Sequence, residues 1–324
     1  MLRSFNSGIT GTVLRRALAC VPILIGISAL TFLIVDLLPG NAAQQLIGID
    51  GTPEQVARLE AELKLDRPLW QRYWEWLSGA VRGDLGTSLA SRQPVTALFR
   101  DRLPVTLELV FLALVLSLAA AVPFALWTAL RPGALADRVA AALSMLGLST
   151  PNYVLALLLG WIFSVQLSLF PSIGFVRFGE SPIENLRSLT LPALAIAFPL
   201  FGLYSRFLRG DLVEQLRGEA YIVTASAKGL HRRAIVVRHA FPNSLFGLLA
   251  IVGVNVGTLI GGTVIIEQIF ALPGLGRLLL QAINTRDIVV VQAVVLLLAV
   301  VTVFVGLVVD LLYSVLDPRV RHAS

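Results

Sequence analysis

The stretch EAYIVTASAKGLHRRAIVVRHAFPN, residues 219–243, lies between two strongly apolar segments of the chain. Its first part, residues 220–228, is compatible with a short helix, and Gly229 can adopt the left-handed conformation that ends one. A second helix is predicted from about Arg232 to Ala240, after which Pro242 marks the entry to the next apolar segment. The stretch therefore predicts a helix-turn-helix elbow that faces water.

The composition places this elbow in a membrane protein. Apolar residues make up 56% of the 324 residues and charged residues 14%, against about 45–50% and about 25% in soluble domains. The single cysteine, Cys20, excludes an intramolecular disulfide and a cysteine-based metal cluster. The three histidines, His231, His239 and His322, lack the spacing of a zinc site, so no metal is expected. The net charge of +6 is spread between apolar runs, which favours loops beside lipid over a nucleic-acid partner.

Six apolar stretches are long enough to cross a bilayer core, which requires about 20 residues. They lie at 17–35, 109–130, within 139–176, at 188–205, 241–266 and 288–309. The first follows Cys20 instead of preceding it, so we interpret it as an uncleaved span and not as a lipoprotein signal. The predicted fold class is an all-α integral membrane protein with six transmembrane helices. Its segments are residues 1–37 with the first span, an extracytoplasmic helical insertion at 38–101, a transmembrane domain at 102–316 with the elbow loop at about 206–243, and a tail at 317–324.

Cationic residues set the expected orientation. With the N-terminus in the cytoplasm, the inside segments hold 14 Lys and Arg residues and the short outside loops hold four. Eight more lie in residues 38–103, a segment long enough to be largely exempt from the rule. Both termini and the elbow are therefore expected to face the cytoplasm.

The insertion after the first span has helical features of its own. Thr52 is a plausible N-cap, and Pro53 follows at the first helical position. Four aromatic residues then fall close together: Trp70, Tyr73, Trp74 and Trp76. We interpret them as an interfacial belt or as packing against the membrane domain. A docking surface for a soluble partner is the alternative.

Charges are nearly absent inside the predicted spans, and this limits the mechanism. Asp36, Glu108 and Asp310 sit at the ends of their runs, where water and headgroups can solvate them. Ion-coupled carriers usually place ionisable groups near the midplane, so an ion-coupled carrier is disfavoured. The chain has no phosphate-binding loop and no constellation of nucleophile, base or metal ligands, which disfavours a membrane-embedded enzyme. Any active transport must be powered from outside the chain.

The elbow has two interpretations from its residues alone. It is either a solvated basic connector or a surface on which another protein docks. The run Thr224, Ala225, Ser226 and Ala227 consists of small residues that would allow the backbone of a partner to approach closely.

The elbow resembles the cytoplasmic coupling loop of ABC importer permeases. When Gly229 is aligned with the glycine of the family pattern, residues 223–225 fall on its first triplet and residues 239–242 on its last four positions. The stretch YIVTASAKGL…RHAFPNSL is similar to the variant found in permeases for dipeptides, oligopeptides, nickel and related solutes. Val223 and Ser226 depart from that variant, because arginines are common at both positions. The resemblance assigns the ATPase-coupling role to Glu219, Ala220, Tyr221, Thr224, Ala225, Lys228, Gly229, His239 and Pro242.

Other segments resemble the same subfamily along nearly the whole chain. They include FLIVDLLPGNAA at 32–43, LKLDRPLWQRYWEWLSGAVRGDLGTSL at 63–89 and IEQIFALPGLGRLLLQAINTRDIVVVQ at 266–292. The resemblance implies a type I ABC importer permease, the first of two permease subunits in a heterodimer, in the cytoplasmic (inner) membrane of a prokaryote. Its implied partners are the second permease, two ATPase subunits and an extracytoplasmic solute-binding protein. ATP and Mg would bind to the ATPase subunits, and this chain would bind no cofactor.

The substrate is less constrained by the sequence. Polar residues inside the apolar runs could line a path for a peptide backbone, or could hydrogen-bond between helices. They are Asn152, Tyr153, Gln166, Asn255, Thr258 and Gln292. The resemblance favours peptides, while nickel chelates, glutathione and oligosaccharides stay open. No cluster of His or Met supports a bare metal ion.

Overall fold

The computed structural model describes residues 18–34 and 67–316 apart from residue 134, together with positions 52, 54, 55 and 58. Apart from one isolated β-bridge between Thr87 and Pro94, these residues form helices and loops. The helices are α1 (Leu18–Ile34), α2 (Leu69–Val81), α3 (Val95–Ala129), α4 (Leu135–Ser149), α5 (Asn152–Leu159), α6 (Pro182–Gly218), α7 (Ala220–Ala227), α8 (Arg232–Ile235), α9 (Phe241–Ile269), α10 (Leu275–Asn284) and α11 (Ile288–Leu316). A π-helix, Gly160–Gln166, follows α5 directly.

Four of these segments are long and apolar enough to cross a membrane: residues 95–129, 182–218, 232–269 and 288–309. A fifth candidate is the pair α4 and α5, which is bent by 99°. The bend lies at Pro151, which lacks an N–H and disfavours a helical residue before it. Helix α1 is apolar but shorter. The all-helical membrane fold is therefore confirmed, while the count of six spans stays a prediction.

Helices α3 and α6 form the centre of the bundle. On α3, a small buried residue recurs at every fourth position: Ala113, Ser117, Ala121, Ala125 and Ala129. Small residues at this spacing let two helix backbones approach closely, which is the main way that helices associate in lipid. The sequence of α3 thus fixes which of its faces meets the rest of the bundle.

Glycines allow equally close contact between two other helix pairs. A Cβ atom at Gly202 of α6 would overlap the Ser144 carbonyl of α4. Gly253 and Gly257 of α9 lie against the side chains of Val309 and Thr302 on α11 in the same way. Both pairs therefore depend on the absence of a side chain at these positions.

The helical insertion packs against α1 through two of its four aromatic residues. The Tyr73 ring contacts Phe32 edge-on at 5.6 Å, and its hydroxyl lies 2.8 Å from Ser28 Oγ. Trp76 lies 6.0 Å from the same Phe32 ring, whereas Trp70 and Trp74 are exposed. The predicted packing is confirmed for one face of α2, and the other face is open.

The predicted N-cap of the insertion is also confirmed. Thr52 Oγ1 accepts a hydrogen bond from the N–H of Gln55, and Gln55 Oε1 accepts one from the N–H of Thr52. This reciprocal pair is a capping box, which satisfies two backbone donors at the start of a helix. Asp36 and residues 317–324 lie outside the described residues, as does the side chain of Asp310.

Candidate functional site

The elbow, Glu219–Asn243, joins the end of α6 to the start of α9. Glu219 has extended backbone angles, φ −73° and ψ 130°, so it separates α6 from α7. Helix α7 then runs from Ala220 to Ala227, within one residue of the predicted range. The first arm of the elbow is thus confirmed as a short independent helix.

Gly229 ends α7 in the conformation that its sequence position predicts. Its φ is +77°, and its N–H donates to the Ser226 carbonyl at 3.0 Å. The N–H of Leu230 donates to the Ala225 carbonyl at 3.3 Å. This pair of bonds is a Schellman motif, which favours glycine at the left-handed position. A Cβ atom at Gly229 would meet nothing within 4 Å, so the need for glycine here is conformational and not steric.

The second arm of the elbow consists of the short helix α8 and a π-helical turn. His231 Nδ1 accepts from the N–H of Arg233 at 3.3 Å, and α8 follows as Arg232–Ile235. The chain then passes through a π-helical turn, Val236–Ala240, and continues into α9 without a break. Pro242 lies in the first turn of α9, where a residue without an N–H is tolerated, so it marks the entry to that helix as predicted.

One face of α7 is anchored to the bundle. Ile222 and Ala225 are buried on it. The Tyr221 hydroxyl donates to Gln215 Oε1 on α6, and Gln215 Nε2 donates to Ser244 Oγ on α9 at 2.9 Å. This polar chain ties α7 to both adjoining long helices. Sequence reasoning selected Tyr221 but missed Gln215 and Ser244, because nothing in their own neighbourhood marks them as partners.

The opposite face of the elbow is open and partly apolar. Val223 is 62% exposed, Val237 50% and Leu230 41%. Other predicted coupling residues, Glu219, Ala220, Thr224, Lys228, Gly229 and Pro242, are also exposed, while His239 is half-buried. An exposed apolar patch on an otherwise charged loop is typical of a surface that a protein partner covers.

The predicted path residues lie on different elements and are not joined to one another by hydrogen bonds within the described chain. Asn255 donates to the Ile251 carbonyl at 2.7 Å and Thr258 to the Val254 carbonyl at 3.3 Å, each on its own helix. Gln292 is buried on α11. The remaining three, which lie on α5 and the π-helix after it, are half-buried or exposed: Asn152, Tyr153 and Gln166. Their role in transport stays a prediction.

A buried carboxylate at the far end of α9 was missed by sequence reasoning. Glu267 is fully buried, and its Oε1 accepts hydrogen bonds from Thr106 Oγ1 at 2.7 Å and Thr263 Oγ1 at 3.2 Å. Its Oε2 accepts from the N–H of Arg277 at 3.0 Å. Thr106 in turn accepts from the N–H of Leu275 at 2.9 Å. These bonds hold the start of α10 against α3 and α9, and the available signal was a Glu shortly before the Pro-Gly turn at 273–274.

A second buried carboxylate holds the insertion loop. Asp287 accepts from Ser88 Oγ at 2.5 Å and from the N–H of Ala90 at 3.2 Å, just before α11 begins. Within the described residues, no group of three or more His, Cys, Asp or Glu side chains could hold a metal ion. The bonds of Asp287 tie the loop before α3 to the start of α11.

The fold is similar to that of a solved transporter subunit. A chain of the MetNI methionine ABC transporter, in an inward facing form, superposes with a TM-score of 0.56 at 19% identity. The match covers 68% of this chain and 96% of the other. It supports the type I ABC importer permease fold.

Sequence comparisons cover a larger part of the chain. One family model, described as the binding-protein-dependent transport system inner membrane component, matches residues 121–322, and a model of the N-terminal part of such components matches residues 10–110. A Brucella abortus protein named as a permease of a peptide transport system is 40% identical, covering 97% of this chain and 99% of its own length. The dipeptide transport system permease DppB of Escherichia coli K12 is 37% identical, with 96% and 98% coverage. DppB of Alkalihalophilus pseudofirmus is 33% identical, with 95% and 98% coverage. The chain therefore belongs to the family of binding-protein-dependent transport system inner membrane components, and it is a multi-pass permease subunit of an ABC importer and not an enzyme.

Proposed function

We propose that this permease imports peptides and that an ATPase subunit docks on the elbow to power it. The observation that carries the docking proposal is the asymmetry of α7, which has one face tied to the bundle and an opposite face open and apolar at Val223. A short helix that is closed by a Schellman motif and tied by a side chain to its neighbours behaves as a rigid body. A partner that grips its open face would therefore move the anchored face with it.

The anchored face offers a route for that movement. Gln215 bridges Tyr221 on α7 to Ser244 on α9, and Gln215 itself belongs to α6. Helix α6 has 37 residues and is about 55 Å long at a rise of about 1.5 Å per residue. Displacement of α7 would thus act on two long helices at once, which is what coupling ATP hydrolysis to transport requires.

The orientation and partners follow the charge pattern and the exposed faces. We place both termini and the elbow in the cytoplasm, because the elbow-side segments hold most of the Lys and Arg residues. ATP and Mg would then bind to two ATPase subunits below the elbow, and this chain would bind neither. A second permease would cover the outward face of α9, on which Val254, Thr258 and Ile265 are exposed. A solute-binding protein would deliver the substrate from outside.

The peptide assignment rests on the relatives. All three are named for peptide or dipeptide transport and match this chain almost from end to end. Nickel chelates, glutathione and oligosaccharides are the alternative cargo. Ligand binding to the purified solute-binding protein of the same system separates these cargoes: a peptide ligand supports the proposal, and binding of only the alternatives contradicts it.

Gly229→Asp tests the docking proposal. It strains the left-handed cap by roughly 1 kcal/mol and places a charge at the negative end of α7. The matched control is Gly83→Asp, because Gly83 is also exposed, has a φ of +86° and has nothing within 4 Å of an added Cβ. In reconstituted vesicles, normalised to assembled complex, we expect Gly229→Asp to abolish most substrate-stimulated ATP hydrolysis and uptake while Gly83→Asp retains both. Equal activity of the two variants would exclude the elbow as the coupling surface.

A further inference from the structure

A cavity of about 270 Å³ lies between α3, α4 and α6, towards the elbow end of the bundle. Phe124 and Thr128 of α3 line one side, and Arg138 and Met145 of α4 line another. Arg206 and Arg209 of α6 complete it. The cavity shares none of its lining residues with the elbow, so it is a separate feature of the molecule.

The positive charge of the cavity is only partly neutralised. Arg209 is committed to Asp137, with Nε to Oδ1 and Nη2 to Oδ2 both at 2.5 Å. Asp137 also accepts from the N–H of Gly133 at 2.9 Å. Arg138 and Arg206 are exposed, and neither forms an ion pair or hydrogen bond with another described residue. Within the described part of the chain, the cavity therefore presents two guanidinium groups without a protein partner.

The cavity is apolar on its other side. Ala141 and Met145 follow Arg138 at positions i+3 and i+7, so the three residues lie on one face of α4. Met145 is exposed, and nearby Trp127 of α3 is exposed as well. The floor is closed, because Ser144 and Ser205 are hydrogen-bonded at 3.1 Å. A ligand here would meet cations at one end and apolar side chains at the other.

The cavity lies near the ends of two apolar segments that are predicted to span the membrane. Arg206 directly follows the apolar segment 188–205, and Thr128 lies near the end of the apolar segment 109–130. At that depth lipid headgroups meet the hydrocarbon core. A free anion would have no use for the apolar side of the cavity, whereas an acyl chain would cover it.

We propose that Arg138 and Arg206 bind the phosphate of an anionic phospholipid, whose acyl chain lies along Ala141 and Met145. Arginine forms two parallel hydrogen bonds to a phosphate oxygen pair, and basic pockets between transmembrane helices are suited to anionic headgroups. Because α4 and α6 form the walls, the lipid would join these two helices at their membrane surface.

Binding of a short-chain fluorescent phosphatidylglycerol to the purified chain in neutral detergent tests this proposal. The double variant Arg138→Gln/Arg206→Gln should bind it roughly tenfold or more weakly than wild type. The control Arg232→Gln/Arg233→Gln removes the same charge from the exposed second arm of the elbow and should bind like wild type. Arg138→Lys/Arg206→Lys, which keeps the charge, should retain most of the affinity. Equal apparent thermal stability of these variants would show that the fold is intact.

Two further measurements separate the sources of the phosphate group. Fluorescent phosphatidylcholine should bind weakly to wild type, and millimolar inorganic phosphate should not displace phosphatidylglycerol. If inorganic phosphate fully displaces phosphatidylglycerol, the site binds a free anion. If Arg138→Gln/Arg206→Gln and Arg232→Gln/Arg233→Gln lose the same affinity for phosphatidylglycerol, the binding reflects general surface charge. If Arg138 and Arg206 become shielded from solvent only when an ATPase subunit is added, the site is a protein contact. Each of these three results overturns the lipid proposal.

Discussion

Replacing Glu267 by Gln exchanges one buried carboxylate oxygen for an NH₂ group with almost no change in volume. In the native structure this side chain accepts hydrogen bonds from Thr106, Thr263 and the backbone N–H of Arg277. Gln has one acceptor oxygen, so it can accept either from the two threonine hydroxyls or from the N–H of Arg277, but not from both sides. If that oxygen faces the two threonines, the NH₂ group faces the N–H of Arg277, and two donors oppose each other.

The energetic cost follows from that count. In that orientation both threonine hydroxyls still donate to the Gln oxygen, so the loss falls on the backbone N–H of Arg277. The backbone N–H of Arg277 lies in the first turn of α10, where donors have no intrahelical acceptor, so it becomes an unsatisfied donor, which costs about 1–3 kcal/mol. Loss of the bond to a carboxylate raises the expected total to roughly 2–4 kcal/mol. For a chain of this size that is an apparent melting temperature lower by about 5–10 °C.

The assay is apparent thermal unfolding of the purified chain in detergent, followed by intrinsic fluorescence. Glu108→Gln is the matched control, because Glu108 is half-buried and accepts from Asn185 Nδ2 at 3.0 Å, a bond that a Gln oxygen can keep. We expect Glu108→Gln to change the midpoint by less than a third of the Glu267→Gln effect. If both variants melt together, the hydrogen-bond accounting at Glu267 is refuted.

Two other predictions concern packing and topology. Gly253→Ala should lower the apparent stability by about 1–3 kcal/mol, because its methyl group would overlap a side chain of α11. Gly261→Ala, where an added Cβ meets nothing within 4 Å, should be neutral or slightly stabilising in the same unfolding assay; equal losses would contradict the assigned contact. In a Cys20→Ser background, Ser226→Cys should react with impermeant thiol reagents only from the cytosol and Ser91→Cys only from outside. The reverse labelling would invert the proposed orientation.

The sequence predicts best those features that depend on local rules. The apolar runs predict the long helices, since hydrophobic length follows directly from bilayer thickness. The cap at Gly229 depends on a single residue and its backbone conformation, and it is found as predicted. The capping box at Thr52 is equally local. In each case the residues that make the feature lie within a few positions of one another.

Features that depend on distant residues were not predictable from one sequence. Thr106 and Glu267 are 161 positions apart, and Ser88 and Asp287 are 199 apart. Ser88 lies in a polar loop before α3, yet it is 3% exposed because the carboxylate of Asp287 accepts its hydrogen bond. The continuity of the helix through Pro242 also depends on a π turn that no local preference signals. Sequence patterns located the helices but could not show which polar groups meet between them.

Helix α9 connects the hydrogen-bonded chain at Ser244 with the cluster around Glu267. The continuous segment 232–269 carries the second arm of the elbow at one end and Glu267 at the other, and 38 residues span roughly 55 Å. Gly253 and Gly257 hold its middle against α11, so bending there would be opposed by close packing. A shift of the elbow would therefore reach the start of α10 through Glu267 more directly than through any loop. This arrangement supports the proposed coupling, because the α10 end of the bundle lies opposite the surface on which the ATPase would dock.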